Sequence, residues 1–189
     1  MRILILALPL LLVAQPAAAA PADDTLIATY RSMCFDTQGS PQKALAIADA
    51  SGWKALAAPP DAASVNMVQR EKVVGATRWK LIVFEKDLPA GDVPFATHMT
   101  SCMTTVEPTQ GDVRAQARAL MGSDPNAKDD TNMMWAFYDH PGGRDFNVQL
   151  SPADRAAAIQ EGPFVMVGAT QAPQGSGLAY VAVRTLKAR

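Results

Sequence analysis

The sequence predicts an α+β domain: an N-terminal helical hairpin followed by an antiparallel sheet of about six strands, with the helices packed on one face. Three observations lead there. Apolar residues at helical spacing open the mature chain. Helix signatures that end on Gly52, Gly122 and Gly162 then each precede runs of alternating polarity. Short turn-forming segments join those runs in pairs, which implies antiparallel pairing.

The first 19 residues read as a cleavable signal peptide, with 20–189 as a single α+β domain. Arg2 supplies the positive start, Ile3 to Val13 the apolar run, and Ala17-Ala18-Ala19-Ala20 the small-residue processing site. The run is far shorter than the roughly 20 residues a spanning helix needs. The sequence carries no cysteine at the processing site and no second run of spanning length, so no membrane anchor is expected after cleavage. The Ala/Pro-rich processing region and the lack of an Asn-x-Ser/Thr acceptor point to a periplasm.

The mature chain, about 170 residues, is long enough for one sizeable core. Of 17 basic and 18 acidic residues the signal takes only Arg2, leaving a balance near −2. A charge so close to neutral offers no electrostatic footprint for nucleic acid. The even pair Cys34 and Cys102, in an oxidising compartment, is expected to form a structural disulfide. Neither lies in a Cys-x-x-Cys motif, which argues against thiol exchange.

The elements follow in order. Asp23-Asp24-Thr25 opens the first helix, whose stripe is Leu26, Ile27, Tyr30, Met33 and Cys34. Ser40-Pro41 starts the second, which runs to Gly52, with Trp53 folding back on Ile47 and Ala48. Ala55 to Ser64 reads as a connection. Thr77 to Glu85, apolar on both faces through Trp79, Leu81, Val83, Ile82 and Phe84, is a central strand. Pro89 to Asp92 turns the chain into a strand from Thr97 to Val106. Asp112 caps the third helix, Gly122 stops it, and Ser123 to Asn132 is a polar loop. Met133 to Asp139 and the alternating Phe146, Val148 and Leu150 form the next strand pair around His140 to Arg144. Ser151-Pro152 starts the fourth helix. Strands from Phe164 and from Leu178 to Leu186, joined through Pro173 to Gly177, close the domain.

Four motifs bear on chemistry. Ser40-Pro41-Gln42-Lys43 has the Ser-x-x-Lys spacing in which a lysine activates a serine nucleophile, but its companion motifs are missing and helix capping accounts for Ser40. His98, Met99, Cys102 and Met103 are residue types that suit copper. On a strand, however, His98 and Cys102 stand about 13–14 Å apart. A site would need Met133 or Met134 as well, so neither a metal nor another cofactor is expected. The hairpin Asp139, His140, Arg144 and Asp145 gathers an imidazole, a guanidinium and two carboxylates, and is the candidate functional loop. The tryptophans at 53, 79 and 135 read as core anchors.

The opening Cys34-Phe35-Asp36-Thr37-x-Gly39, with Ser51-Gly52-Trp53 after it, resembles the start of uncharacterised small exported proteobacterial proteins. The resemblance covers about the first third of the mature chain and implies export, without an activity or site residues. The leading expectation is a non-catalytic binding or envelope-associated accessory domain, its partner a small molecule or an envelope protein. The alternatives are a hydrolase centred on His140 and a periplasmic copper or other metal-binding protein using methionine and histidine. The oligomeric state is not legible in the sequence.

Overall fold

A computed structural model describes residues 25–57, 60 and 65–186. The expected signal peptide lies outside the described residues. Four helices and one nine-stranded, wholly antiparallel sheet make up the fold. Helix α1 (Leu26–Tyr30) runs into a π-helical stretch, Arg31–Phe35, and α2 covers Pro41–Ala50. Strands β1 (Lys54–Leu56), β2 (Val68–Val74), β3 (Thr77–Leu88) and β4 (Thr97–Glu107) follow as a meander. After α3 (Val113–Met121) come β5 (Ala127–Lys128), β6 (Asn132–His140) and β7 (Gly143–Asp145). The chain ends in α4 (Pro152–Glu161), β8 (Phe164–Ala172) and β9 (Gly175–Thr185).

The strand order is β1-β2-β3-β4-β9-β8-β6-β5, with β7 also on β6. After the meander the chain crosses to the far edge and works back inward. The last strand therefore closes the middle, pairing β4 on one side and β8 on the other.

Register divides the side chains. One face carries Trp79, Leu81 and Val83 of β3, Cys102 and Val106 of β4, and Leu178, Tyr180 and Ala182 of β9, all buried. Opposite residues of paired strands share a face, so Val165 and Val167 of β8 and Trp135 and Phe137 of β6 continue it. Leu26, Tyr30 and Met33 of the first helical segment, Ala44 and Ala48 of α2, and Val113 and Ala117 of α3 pack there into one core. Tyr30 donates to the Ala179 carbonyl at 3.2 Å, and burial pushes its hydroxyl well above its ordinary pKa.

Local chemistry explains the helix ends. Thr25, Ser40, Asp112 and Ser151 each accept an amide of the first turn. The Gln171 side chain accepts the Val113 and Arg114 amides at 2.8 and 3.3 Å, tying the start of α3 to β8. Gly52 ends α2 in the left-handed region (φ +76°) and the Trp53 amide returns to the Ala48 carbonyl, as expected for that terminator. Arg70 of β2 grips Asp49 of α2 in a two-pronged contact of 2.7 and 3.3 Å.

Several expectations are corrected. The sheet has nine strands, not about six, because β1, β2, β5 and β7 are short or polar and lack a periodic apolar signal. The expected Phe146 to Leu150 strand is irregular chain; β7 ends at Asp145, whose carboxylate turns back to accept the Asn147 amide at 2.8 Å. The N-terminal helical hairpin is not confirmed: α1 rests on β4 and β9 and α2 on β3 and β4, while the π-helical stretch that continues α1 meets α2. Nor do all helices share a face. Ala156 and Ile159 of α4 pack on Val93 and Tyr138. Tyr138 pairs with Phe164, and Phe164 with Val183, on the side away from Tyr180. That second face also carries half-buried Ile82, Phe84, Met99, Met103, Met166 and Val181.

The structure joins Cys34, in the π-helical stretch, to Cys102, midway along β4, with the Cα atoms 5.3 Å apart. Replacing both by serine frees a loop of 68 residues' separation and is expected to cost about 4 kcal/mol in denaturant unfolding. A second expectation concerns pH. Asp129 accepts from the Asn132 side chain and from the Thr131 and Asn132 amides, which holds its carboxyl down to about 2. A carboxylate with a depressed folded value stabilises above its ordinary pKa and loses that contribution as pH falls through about 2. The advantage of the wild type over Asp129→Asn in melting temperature should therefore be present at neutral pH and gone by about pH 2.

Candidate functional site: the cleft at the end of β3, β4 and β9

Register aligns Asp87 of β3, His98 of β4 and Arg184 of β9 in one row across three strands. The next row on that face brings Glu85 beside Thr100. Both rows lie at the end of the sheet beyond the core, where α2 begins and helix cover gives way to the turn at 36–40.

His98 is the hub. Its Nδ1 stands 2.6 Å from Asp87 Oδ1, and its Nε2 stands 3.7 Å from Glu85 Oε2. Glu85 also accepts from the Gln42 side chain at 3.4 Å. Arg184 donates to Thr100 Oγ1 at 3.4 Å and to the Gln38 carbonyl at 3.1 Å, so uncharged oxygens hold its guanidinium. Glu85, Asp87, His98 and Arg184 line a cleft of about 570 Å³ whose lining also includes Ile159 and Pro163. A smaller hollow of about 390 Å³, under Gln38 to Lys43, shares Glu85, His98 and Arg184 as its wall.

The turn that roofs the hollow is built around one glycine. Gly39 adopts φ +70°, and a Cβ there would stand 2.7 Å from the Tyr180 ring. Tyr180 is nearly buried, which pushes its hydroxyl up to about 12. No residue but glycine fits that turn without moving Tyr180.

The candidate loop divides its residues between the two faces of the sheet. Alternation along β6 sends Asp139 and His140 to opposite faces, and Arg144 pairs with Asp139 while Asp145 pairs with Tyr138. Arg144 lies between two rings, 5.1 Å from Phe35 and 5.0 Å from Phe137, as a cation–π clamp on the core. His140 stacks along Tyr138 with ring centres 6.2 Å apart. Its Nδ1 is buried without a hydrogen-bond partner, and Glu161 Oε2 stands 3.9 Å away, beyond hydrogen-bond range.

The other motifs resolve similarly. Ser40 accepts the Lys43 amide at 3.5 Å, so the lysine's backbone meets the serine at the helix cap, as the capping argument anticipates. His98 lies on the face opposite Met99 and Met103, Met134 is on their side at 41% exposure, and Met133 is buried on the helix side. Among the described residues no group of three or more His, Cys, Asp or Glu could hold a metal ion.

In the sequence His98 stands out only as a metal ligand, and Asp87, Glu85 and Arg184 do not stand out at all. A signal is present on the β3–β4 hairpin: Asp87 and His98 flank the 89–96 segment at equal offsets from the strand ends. Arg184 joins them only through the placement of β9.

No family model, curated protein or solved structure matches the chain.

Arg184 is the brace between the turn and the last strand. Arg184→Ala should lower stability by about 1–2 kcal/mol, the worth of a charge-assisted hydrogen bond at a half-buried position. Thermal unfolding monitored at Tyr and Trp absorbance checks this.

Proposed function

We propose that this is an exported, periplasmic binding protein that receives a small polar ligand in the cleft between Asp87, His98 and Arg184. The observation that carries the reading is the pairing pattern in that cleft. Asp87 meets His98, Glu85 meets Gln42 and His98, and Arg184 meets Thr100 and a carbonyl. Mutually engaged groups of both signs form a recognition surface, and they favour a ligand with donors and acceptors of both signs over a strong anion. Export is supported by the cysteine pair, which belongs to oxidising compartments. Among the described residues no helix is long and apolar enough to cross a membrane.

One observation favours a second reading. An aspartate 2.6 Å from a histidine nitrogen that faces a cleft is the orienting pair of acid–base chemistry, so hydrolysis at His98 is the alternative. His140, the centre of the hydrolase that the sequence suggests, borders neither the cleft nor the hollow among the described residues.

A thermal-shift panel of amino acids, short peptides and sugars on the purified chain separates the two. A ligand at about 100 times its Kd raises stability by about 2.7 kcal/mol, and Arg184→Ala should abolish that gain. If no member of the panel stabilises the protein, while ester or amide turnover is found and is lost in His98→Ala, binding gives way to catalysis.

A further inference from the structure

A third cavity, of about 310 Å³, lies on the other face of the sheet, between α4 and the 89–96 segment. It shares only Ile159 with the polar cleft, so it stands apart from the site proposed above. Leu88, Val93, Val148, Ile159, Phe164 and Val183 give it apolar walls. Its volume falls at the small end of the range of about 300–1,000 Å³ for ligand pockets.

Two polar side chains converge on this apolar space. Tyr138, 1% exposed, forms part of the wall with its ring 5.1 Å from Phe164. Arg155, from the first turns of α4, lines the same cavity. The charge of Arg155 is poorly answered by the protein. Its Nη1 stands 3.9 Å from Asp92 Oδ2, a side chain 94% exposed, and its Nη2 donates to the Leu150 carbonyl at 3.5 Å. A contact so long and so wet contributes little. The guanidinium therefore retains donors for an anion, at the rim of a space whose walls are mainly apolar, with Asp92 and Thr97 as its other polar lining.

We propose that this cavity binds a free monocarboxylate with a short apolar tail. The carboxylate meets Arg155 and the Tyr138 hydroxyl, and the tail replaces water against Val93, Val148, Phe164 and Val183. Guanidinium and carboxylate match in geometry, which sets an acid apart from an alcohol of equal length. A tail of several methylenes supplies the affinity by burial. The enclosed volume suits one short chain rather than the paired chains of a membrane lipid.

Isothermal titration of the purified chain with octanoate, octanol and octylammonium tests this. Octanoate should bind about tenfold more tightly than octanol, the scale of one charge-assisted bond, and octylammonium should not bind. Arg155→Gln should reduce octanoate to the level of octanol. Val148→Trp, a change at a half-buried loop position, should fill the cavity and abolish both while leaving the circular dichroism unchanged. Equal affinity for acid and alcohol in the wild type overturns the proposal, as does octanoate binding that survives Val148→Trp or no octanoate binding at all.

Discussion

The bond between Cys34 and Cys102 ties the N-terminal segment to the middle of the sheet, and the site geometry depends on that tie. Cys102 sits midway along β4, between β3 and β9, on the face where the core lies. Cys34 lies in a π-helical stretch that closes with the Asp36 amide on the Arg31 carbonyl at 2.8 Å. Five residues later α2 begins. The turn between, with the Gly39 amide on the Cys34 carbonyl at 2.8 Å, is thus hung directly from the bridged cysteine. Gln38, Ser40 and Gln42 line the hollow that shares Glu85, His98 and Arg184 with the cleft because that turn is fixed.

From the sheet side, the constraint is strand placement. His98 acquires Asp87 from the hairpin it belongs to and Arg184 from the last strand of the chain. The polar row exists only because β9 enters the centre. The far edge is finished economically: β5 covers one end of β6, β7 the other, and the Asn126 side chain accepts the Ala136 amide at 2.7 Å between them. Short caps of this kind leave little free strand edge for another chain to pair with.

Much of the fold was legible in the sequence where a side-chain period ran for several turns or pleats. The stripe Leu26, Tyr30, Met33 and Cys34, the two-sided apolar β3, and the capped starts at Ser40, Asp112 and Ser151 all stand where local chemistry puts them. What escaped were elements whose stability comes from neighbours. β2 reads Val-Gln-Arg-Glu-Lys-Val-Val, with no apolar alternation, and is held by β1, β3 and the grip of Arg70 on Asp49. The face chosen by α4 was equally hidden, since a stripe of Ala156 and Ile159 fits either side of a sheet, and its partners Val93, Tyr138 and Phe164 come from distant segments. The cleft escaped because its row joins residues 87, 98 and 184, a register that no local pattern encodes.

Hydrogen exchange on oxidised and reduced protein tests the dependence of the cleft on the bridge most directly. Reduction should accelerate exchange through residues 31–43 and at the Arg184 end of β9, with the amides of β6 and β8 still protected. Unchanged protection of residues 36–43 after verified reduction of both cysteines would contradict it.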